Sequence, residues 1–329
     1  MEERLSMDHL VRPTDPEPLR AFTQALAGKD PQTIVAYLGT LRDFVAWVAT
    51  QPSGDPFQIA LLTETALDAY MRHLEQQQRA PRTRSRALSA LKRFCRWAVE
   101  EGHLRRNPAT TIQRPTVVAL APTELTPDQR YVLKILVERA DSPRLTAMFT
   151  LGYWAGLRIS EVATLQVDHC VLNQRAGAIT IIGSKGGKTR TLDLHNQARR
   201  ALYRYLELSA THTEAREPDS PYVFTSQRAA WLRQQQQPDH ITVRGISHLW
   251  SQLKARATHD EWQLIAPITF HDLRHDWAHR ARAAGWSLEE IAVYAGHQTK
   301  DGAPAIATTV RYTLPSRQQL KEQLQRLQG

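Results

Sequence analysis

Apolar residues recur at helical spacing early in the chain. Ile34, Leu38, Leu41, Val45 and Val48 fall three or four apart, and Phe44 and Trp47 widen the stripe, so residues 31–50 predict an amphipathic helix. Asp30 followed by Pro31 is a start signal, because proline suits the first helical turn, where its missing N–H costs nothing. A second helix is predicted after Thr63, in TETALDAYMRHLEQ. A third spans about 82–101, with Leu88, Leu91, Cys95 and Ala98 as its inner stripe and Gly102 as its stop. The stretch RNPATTIQRPTVVALAPTELT then carries Pro108, Pro115 and Pro122 without sustained periodicity, and residues 107–123 read as an interdomain linker.

The pattern changes from residue 124. Helices are predicted around 126–140 and 143–154, followed by a turn at Gly156 and a short helix from Arg158. AITII (178–182) and KTRTLDL (188–194) are β-rich runs joined by GSKGGK, the pattern of a hairpin. Further helices are predicted near 195–209, 241–257, 269–284 and 287–295, and the glutamine-rich stretch 234–237 before Pro238 reads as an exposed loop.

At 329 residues the chain is long enough for two cores. The apolar runs are too short to span a bilayer, and MEERLSMDHL, with acids among its first residues, shows neither the apolar segment of a secretory signal nor an Arg-rich transit peptide, so a cytoplasmic protein is expected. Cys95 and Cys170 are too few and too far apart for a disulfide framework or a thiolate metal site, and read as buried thiols. The charge says more: 42 Lys and Arg against 33 Asp and Glu give +9, which favours a polyanionic partner. Its placement sharpens the point. The third helix carries Arg82, Arg84, Arg86, Lys92, Arg93 and Arg96, and its acids, Glu100 and Glu101, come only at its end. These six are candidate contacts to DNA phosphates, against the simpler account of a solvated basic face.

Candidate chemistry lies in the second half. In ITFHDLRHDWAHR, His271 and Arg274 are three apart and share a helix face, so a proton carrier lies beside a guanidinium, a pairing suited to a phosphate. His271, His275 and His279 also recur every four residues, a spacing that can ligate zinc. Asp272, however, stands where the zinc-hydrolase pattern wants Glu, and Arg274 would set positive charge beside a cation, so no metal is expected. AGLRISEVATL sets Arg158 after a glycine turn with Glu161 one helical turn on, and taken alone this is a surface ion pair. YAGHQ holds His297 and TTVRYTLP holds Tyr312 fifteen positions later; either alone is an ordinary packing residue.

In order, AGLRISE, GSKGGKTR, HDLRH, AGH and TTVRY resemble the motifs of the tyrosine recombinase (phage integrase) family. The resemblance covers nearly the whole chain, strongly in the second half and by layout in the first. It implies a helical N-terminal core-binding domain (1–106), the linker (107–123), and a catalytic domain (124–329) that is mostly α with a small antiparallel sheet, an α+β fold. It implies a site-specific recombinase or integrase that forms a 3′-phosphotyrosine link with double-stranded DNA, without cofactor or metal. The implied assembly is a homo-tetramer on DNA, with an accessory DNA-bending protein as a possible partner. Tyr312 would be the nucleophile, Arg158 and Arg274 the phosphate clamp, His271 the acceptor of the tyrosine proton, His297 a hydrogen-bond donor to the phosphate, Lys185 the acid that protonates the leaving oxygen, and Glu161 the residue that orients Arg158. Lys188 remains a rival to Lys185 and Tyr294 to Tyr312. The connection between His297 and Tyr312 is longer than the family's usual one, KDGAPAI supplying the extra residues. The stripe Leu320, Leu324 and Leu327 packs on its own domain or on a neighbouring copy. Two alternatives share the fold: a DNA-binding protein without cleavage, and a relaxing topoisomerase.

The residue types suit that chemistry. Attack on a phosphodiester adds charge to its non-bridging oxygens, which planar guanidinium forks can hold bidentately. A phenol with a pKa near 10 is ionised in about one molecule in a thousand at neutral pH, so a tyrosine nucleophile needs a base.

Overall fold

The computed structural model describes residues 10–29, 31–116, 124–183, 189–211, 217, 219–299 and 301–313. The chain divides into two units, Met1–Ala119 and Leu120–Gly329. In the first, helices α1 (Glu17–Ala25), α2 (Pro31–Ala49), α3 (Glu64–Gln76) and α4 (Pro81–Glu100) enclose one core. The stripe of α2 turns inward at Ile34, Leu38, Leu41, Phe44 and Val48, while Val45 and Trp47 pack at its margin. Thr63 caps α3 by accepting from the Ala66 N–H. Ring edges tie the helices together: Phe22 meets Phe94 at 5.0 Å and Phe44 meets Tyr70 at 5.1 Å between centroids.

Helix α4 sorts its charges by angle. At about 100° per residue, Leu88, Leu91, Cys95 and Ala98 form the core face, and Arg82, Arg86, Arg93 and Arg96 centre on the opposite one. Arg82, Arg86 and Arg96 are exposed. Arg93 pairs with Glu100 at 3.2 Å. The other two candidates turn toward their own unit, for Arg84 lies on the core side and pairs with Glu75 of α3, and the Lys92 Nζ donates to the Ile112 carbonyl at 3.1 Å.

Part of the stretch read as a linker is packed. Ala109 and Ile112 are buried in the first core, the Asn107 Nδ2 donates to the Lys92 carbonyl, and its Oδ1 accepts from the Ala109 N–H. Two apolar side chains and one asparagine thus attach residues 107–112 to α4.

The second unit carries α5 (Pro127–Ala140), α6 (Pro143–Ala155), α7 (Ile159–Ala163), strands β1 (Cys170–Leu172), β2 (Gly177–Ile182) and β3 (Thr189–Asp193), then α8 (Asn196–Thr211), α9 (Ala229–Gln234), α10 (Val243–Lys254), α11 (His259–Ile265), α12 (Phe270–Ala283), α13 (Leu288–Ala295) and α14 (Ile306–Thr313). The expected hairpin is β2–β3, antiparallel with Ala178 opposite Asp193 and Ile182 opposite Thr189, and β1 adds a third strand beside β2. Ile179, Ile181 and Leu192 are buried, the period-two pattern of a one-sided sheet. Lys185 and Lys188, and the stripe Leu320, Leu324 and Leu327, lie outside the described residues. Among the described residues no helix is long and apolar enough to cross a membrane.

Helices α6 and α12 form the frame of the site. Gly152 lets them approach, since a Cβ there would sit 3.0 Å from the Phe270 ring. Asp276, fully buried on α12, accepts from the Arg130 Nε and the Arg280 Nε, both at 2.8 Å, and so binds α12 to α5. Gly156 ends α6 at φ +59, where an added Cβ would lie 2.5 Å from the Trp277 ring. Gly156→Ala therefore combines left-handed strain of about 1–2 kcal/mol with overpacking of about 1–3 kcal/mol. Urea denaturation should show a clearly lowered midpoint, and an unchanged midpoint would contradict this packing.

Candidate active site

One carboxylate organises three guanidiniums. Arg158 precedes α7, and Glu161, one turn on, accepts from the Arg158 backbone N–H at 2.8 Å and from its Nη1 at 2.8 Å. Arg190 of β3 grips both oxygens of Glu161, Nη1 to Oε1 at 2.9 Å and Nη2 to Oε2 at 3.0 Å. Arg274 of α12 stands 3.7 Å from Oε2. Burial alone would raise the Glu161 carboxyl, but the hydrogen bonds and charge of Arg190, with Arg274 and Arg158, hold it at about 2.

Arg274 is 1% exposed, a large cation almost wholly removed from water. Its Nη1 donates to the Gly156 carbonyl at 2.6 Å, and its Nη2 donates to the Ala295 carbonyl at 2.6 Å and to the His297 Nε2 at 2.9 Å. Its Nε is buried without a partner, a charged donor still open to an acceptor. Burial, then the charge of Arg158, lowers its pKa to about 9, which leaves it cationic at neutral pH. Arg158 is more open, its side chain 33% exposed, with longer contacts to the Ala295 carbonyl (3.3 Å) and the Gly296 carbonyl (3.4 Å). The two forks thus differ: that of Arg274 is largely occupied by backbone carbonyls, and that of Arg158 reaches solvent.

His297 follows Gly296, whose φ of +67 ends α13. A guanidinium can only donate, so the His297 Nε2 accepts from Arg274 and its ring proton sits on Nδ1, 3.0 Å from the Thr309 Oγ1. The lengthened connection closes on itself: Gln298 bridges Pro304, the Thr299 N–H donates to the Ala303 carbonyl, and the Ala305 N–H returns to the His297 carbonyl at 2.7 Å. The chain is thereby back beside His297 when α14 starts, and α14 carries Thr309 and Tyr312. The Tyr312 ring lies among three imidazoles, with centroids 4.4 Å from His275 (near-parallel), 4.7 Å from His297 and 6.1 Å from His271 (edge-on). The Arg274 guanidinium is 5.7 Å from its centre. Tyr294, the rival, hydrogen-bonds the Asp193 carbonyl and stacks on Trp277, and burial raises its hydroxyl to about 12.

The imidazoles favour the neutral form. Burial, followed by Arg274, lowers His271; burial and then His271 lower His275 to about 4; burial and then Arg274, Arg158 and Arg190 lower His297 to about 3. A neutral His271 is able to take a proton. For stability the sign follows from linkage: an unfolded histidine titrates near 6.5, so below that pH the unfolded chain binds a proton that native His297 refuses until about 3. Stability should therefore be full above about 6.5 and fall with acid through that window, by up to about 1.4 kcal/mol per pH unit for one whole proton. Denaturant midpoints at neutral pH and near pH 5 check this, and His297→Asn should flatten the slope; equal midpoints for wild type would contradict it.

Arg158, Glu161, His271, Arg274, His297 and Tyr312 thus come together in the second unit, and Lys185 lies outside the described residues. Three neighbours were not read from the sequence as site residues: Arg190, Thr309 and, except as a metal ligand, His275. Among the described residues no group of three or more His, Cys, Asp or Glu side chains is arranged to hold a metal ion.

Known proteins resemble this chain in both of its units. Residues 125–318 match the phage integrase family, and residues 19–102 match the phage integrase N-terminal SAM-like domain. Tyrosine recombinase XerC of Neisseria gonorrhoeae is 28% identical over 290 residues, covering 87% of this chain and 86% of the relative. Among solved structures, the Tn1549 transposon integrase in complex with a circular intermediate DNA aligns with a TM-score of 0.66 at 16% identity, covering 94% of this chain and 98% of that one. A lambda integrase tetramer bound to a Holliday junction aligns at 0.62 and 15% identity, covering 89% and 74%. The chain belongs to the tyrosine recombinase (phage integrase) family.

Proposed function

We propose that this protein is a site-specific DNA recombinase that cleaves and rejoins strands through a 3′-phosphotyrosine intermediate on Tyr312. The observation that carries the reading is the convergence of Arg274, His271 and His297 on the Tyr312 ring, with Arg158 joined to Arg274 through Glu161. The reaction begins when His271, kept neutral by burial, takes the phenol proton. The phenolate oxygen then attacks phosphorus, and the bond to the 5′ oxygen breaks. Lys185 supplies the proton that this oxygen needs. Arg158 meets the phosphate from the solvent side, and Arg274 adds its buried charge and its open Nε–H. For His297 to donate to the phosphate, its proton must move to Nε2, and the Thr309 hydroxyl can turn from acceptor to donor at Nδ1. The ester stores the energy of the broken bond, so the freed 5′ hydroxyl of another strand reverses the reaction without ATP.

Exposed Arg82, Arg86 and Arg96, with Arg93 on the same face of α4, are proposed to contact DNA phosphates. The lambda integrase neighbour is a tetramer on a Holliday junction, and we propose the same stoichiometry on DNA for this chain, with an accessory DNA-bending protein as a further partner. A supercoiled plasmid carrying two copies of the cognate site, found by mapping cleavage near the coding region, tests the reading. Exchange of the segment between the sites is expected. Relaxation alone would favour a topoisomerase, and tight binding without any covalent adduct would favour a silent DNA-binding protein.

A further inference from the structure

We propose that Arg190 is a positioning residue for strand cleavage, neutralising Glu161 and bracing the turn that carries His297, so that the charges of Arg158 and Arg274 remain available to the phosphate. The inference rests on the function proposed above and adds a residue to it.

Arg190 is the best-placed partner of Glu161. It meets both carboxylate oxygens, at 2.9 and 3.0 Å, whereas the Arg158 side chain reaches only Oε1 and Arg274 stands off at 3.7 Å. A planar fork on a carboxylate is the strongest pairing these groups form. With Arg190 in place, one negative and three positive charges leave a net two positive charges in a cluster whose Arg274 lies 5.7 Å from the Tyr312 ring, the sign that attack on a phosphate calls for. Without it, Glu161 would be left with Arg158 and Arg274 as its partners, and one of those charges would be cancelled. The third donor of Arg190 serves the backbone, its Nε donating to the Tyr294 carbonyl at 2.9 Å. Gly296 then passes directly over the guanidinium, where a Cβ would lie 2.6 Å from Nη1. The carbonyls of Ala295 and Gly296 in this same turn accept from Arg274 and Arg158. Arg190 also belongs to β3, opposite Ile181 of β2, so it joins the β2–β3 hairpin to the arginine clamp. Its side chain is 12% exposed, so its action passes through Glu161 and the turn.

The test uses the full chain and a nicked suicide duplex, from which the cleaved end departs and the adduct accumulates. Single-turnover rates are measured for wild type, Arg190→Met, Glu161→Gln and the double variant, with DNA affinity and near-ultraviolet circular dichroism alongside. Arg190→Met should cleave on the order of 10²-fold more slowly, as expected for loss of a preorganised charge, with affinity close to wild type. The double variant should recover about tenfold of that loss, because the uncompensated carboxylate is gone. A residue needed only for folding would give a double variant slower than either single one. Should Arg190→Met not fold, Arg190→Gln, which keeps a hydrogen-bonding side chain without the charge, enters the same comparison. Wild-type rates for the Arg190 variant, or no recovery in the double, would overturn the inference alone. Absence of an adduct from wild type would bring down the proposed function and this inference with it.

Discussion

Arg274→Lys should slow single-turnover strand cleavage by about 10²–10³-fold while DNA affinity stays close to wild type. The expectation follows from geometry, because both residues are cationic. The guanidinium donates at once to the Gly156 carbonyl, the Ala295 carbonyl and the His297 Nε2, and still holds one N–H open. An ammonium is a compact point charge that cannot span these partners. Some buried acceptors would lose their donor, each at about 1–3 kcal/mol, and His297 would lose the contact that fixes its ring. A lowered denaturation midpoint should accompany the kinetic defect. Cleavage within tenfold of wild type would show that charge alone, without the fork, suffices.

Tyr312→Phe should abolish the covalent adduct and leave duplex binding intact. The substitution removes one oxygen and keeps the ring that packs against His275 and the small cluster around Trp277 and Ile291. No other tyrosine is positioned to substitute among the described residues of this site. Tyr294 is the nearest rival in sequence, but its hydroxyl is committed to the Asp193 carbonyl and its ring lies between Trp277 and Trp286. Residual adduct in Tyr312→Phe, seen as a duplex retarded on a denaturing gel, would mean another nucleophile.

Much of the site could be read from the sequence because its members sit in local motifs. Arg158 and Glu161 are one helical turn apart, as are His271 and Arg274, and such spacings survive whatever the rest of the chain does. Arg190 could not be read this way. It stands in TRTLD, where alternation makes it look like an ordinary strand residue, and its partners lie 29 and 104 positions away, at Glu161 and Tyr294. Thr309 and the ring contacts of His275 depend in the same way on α14 folding back over α12. That return depends on the closed turn between Gln298 and Pro304, which sequence showed only as extra length.

The fold divides similarly. Strong stripes announced α2 and α4, and the β-rich runs around the glycine pair announced the β2–β3 hairpin. Strand β1 has three residues and α9 six, too short for a period to emerge. Helix α14, IATTVRYT, carries three threonines and few large apolar residues, so its packing depends on neighbours more than on a stripe. On α4 the helical angle separates an inward Arg84 from the outward arginines, while the Glu75 that pairs with it comes from another helix. The prolines of 107–123 likewise hid two apolar anchors, Ala109 and Ile112.

The most direct measurement is the chemical identity of the protein–DNA bond. A suicide duplex is trapped on the wild-type protein, the complex is digested with protease and nuclease, and the residual nucleotide is located by mass spectrometry. The account predicts a nucleotide joined through its 3′ phosphate to Tyr312. A nucleotide on any other side chain, or one joined through its 5′ phosphate, would contradict it.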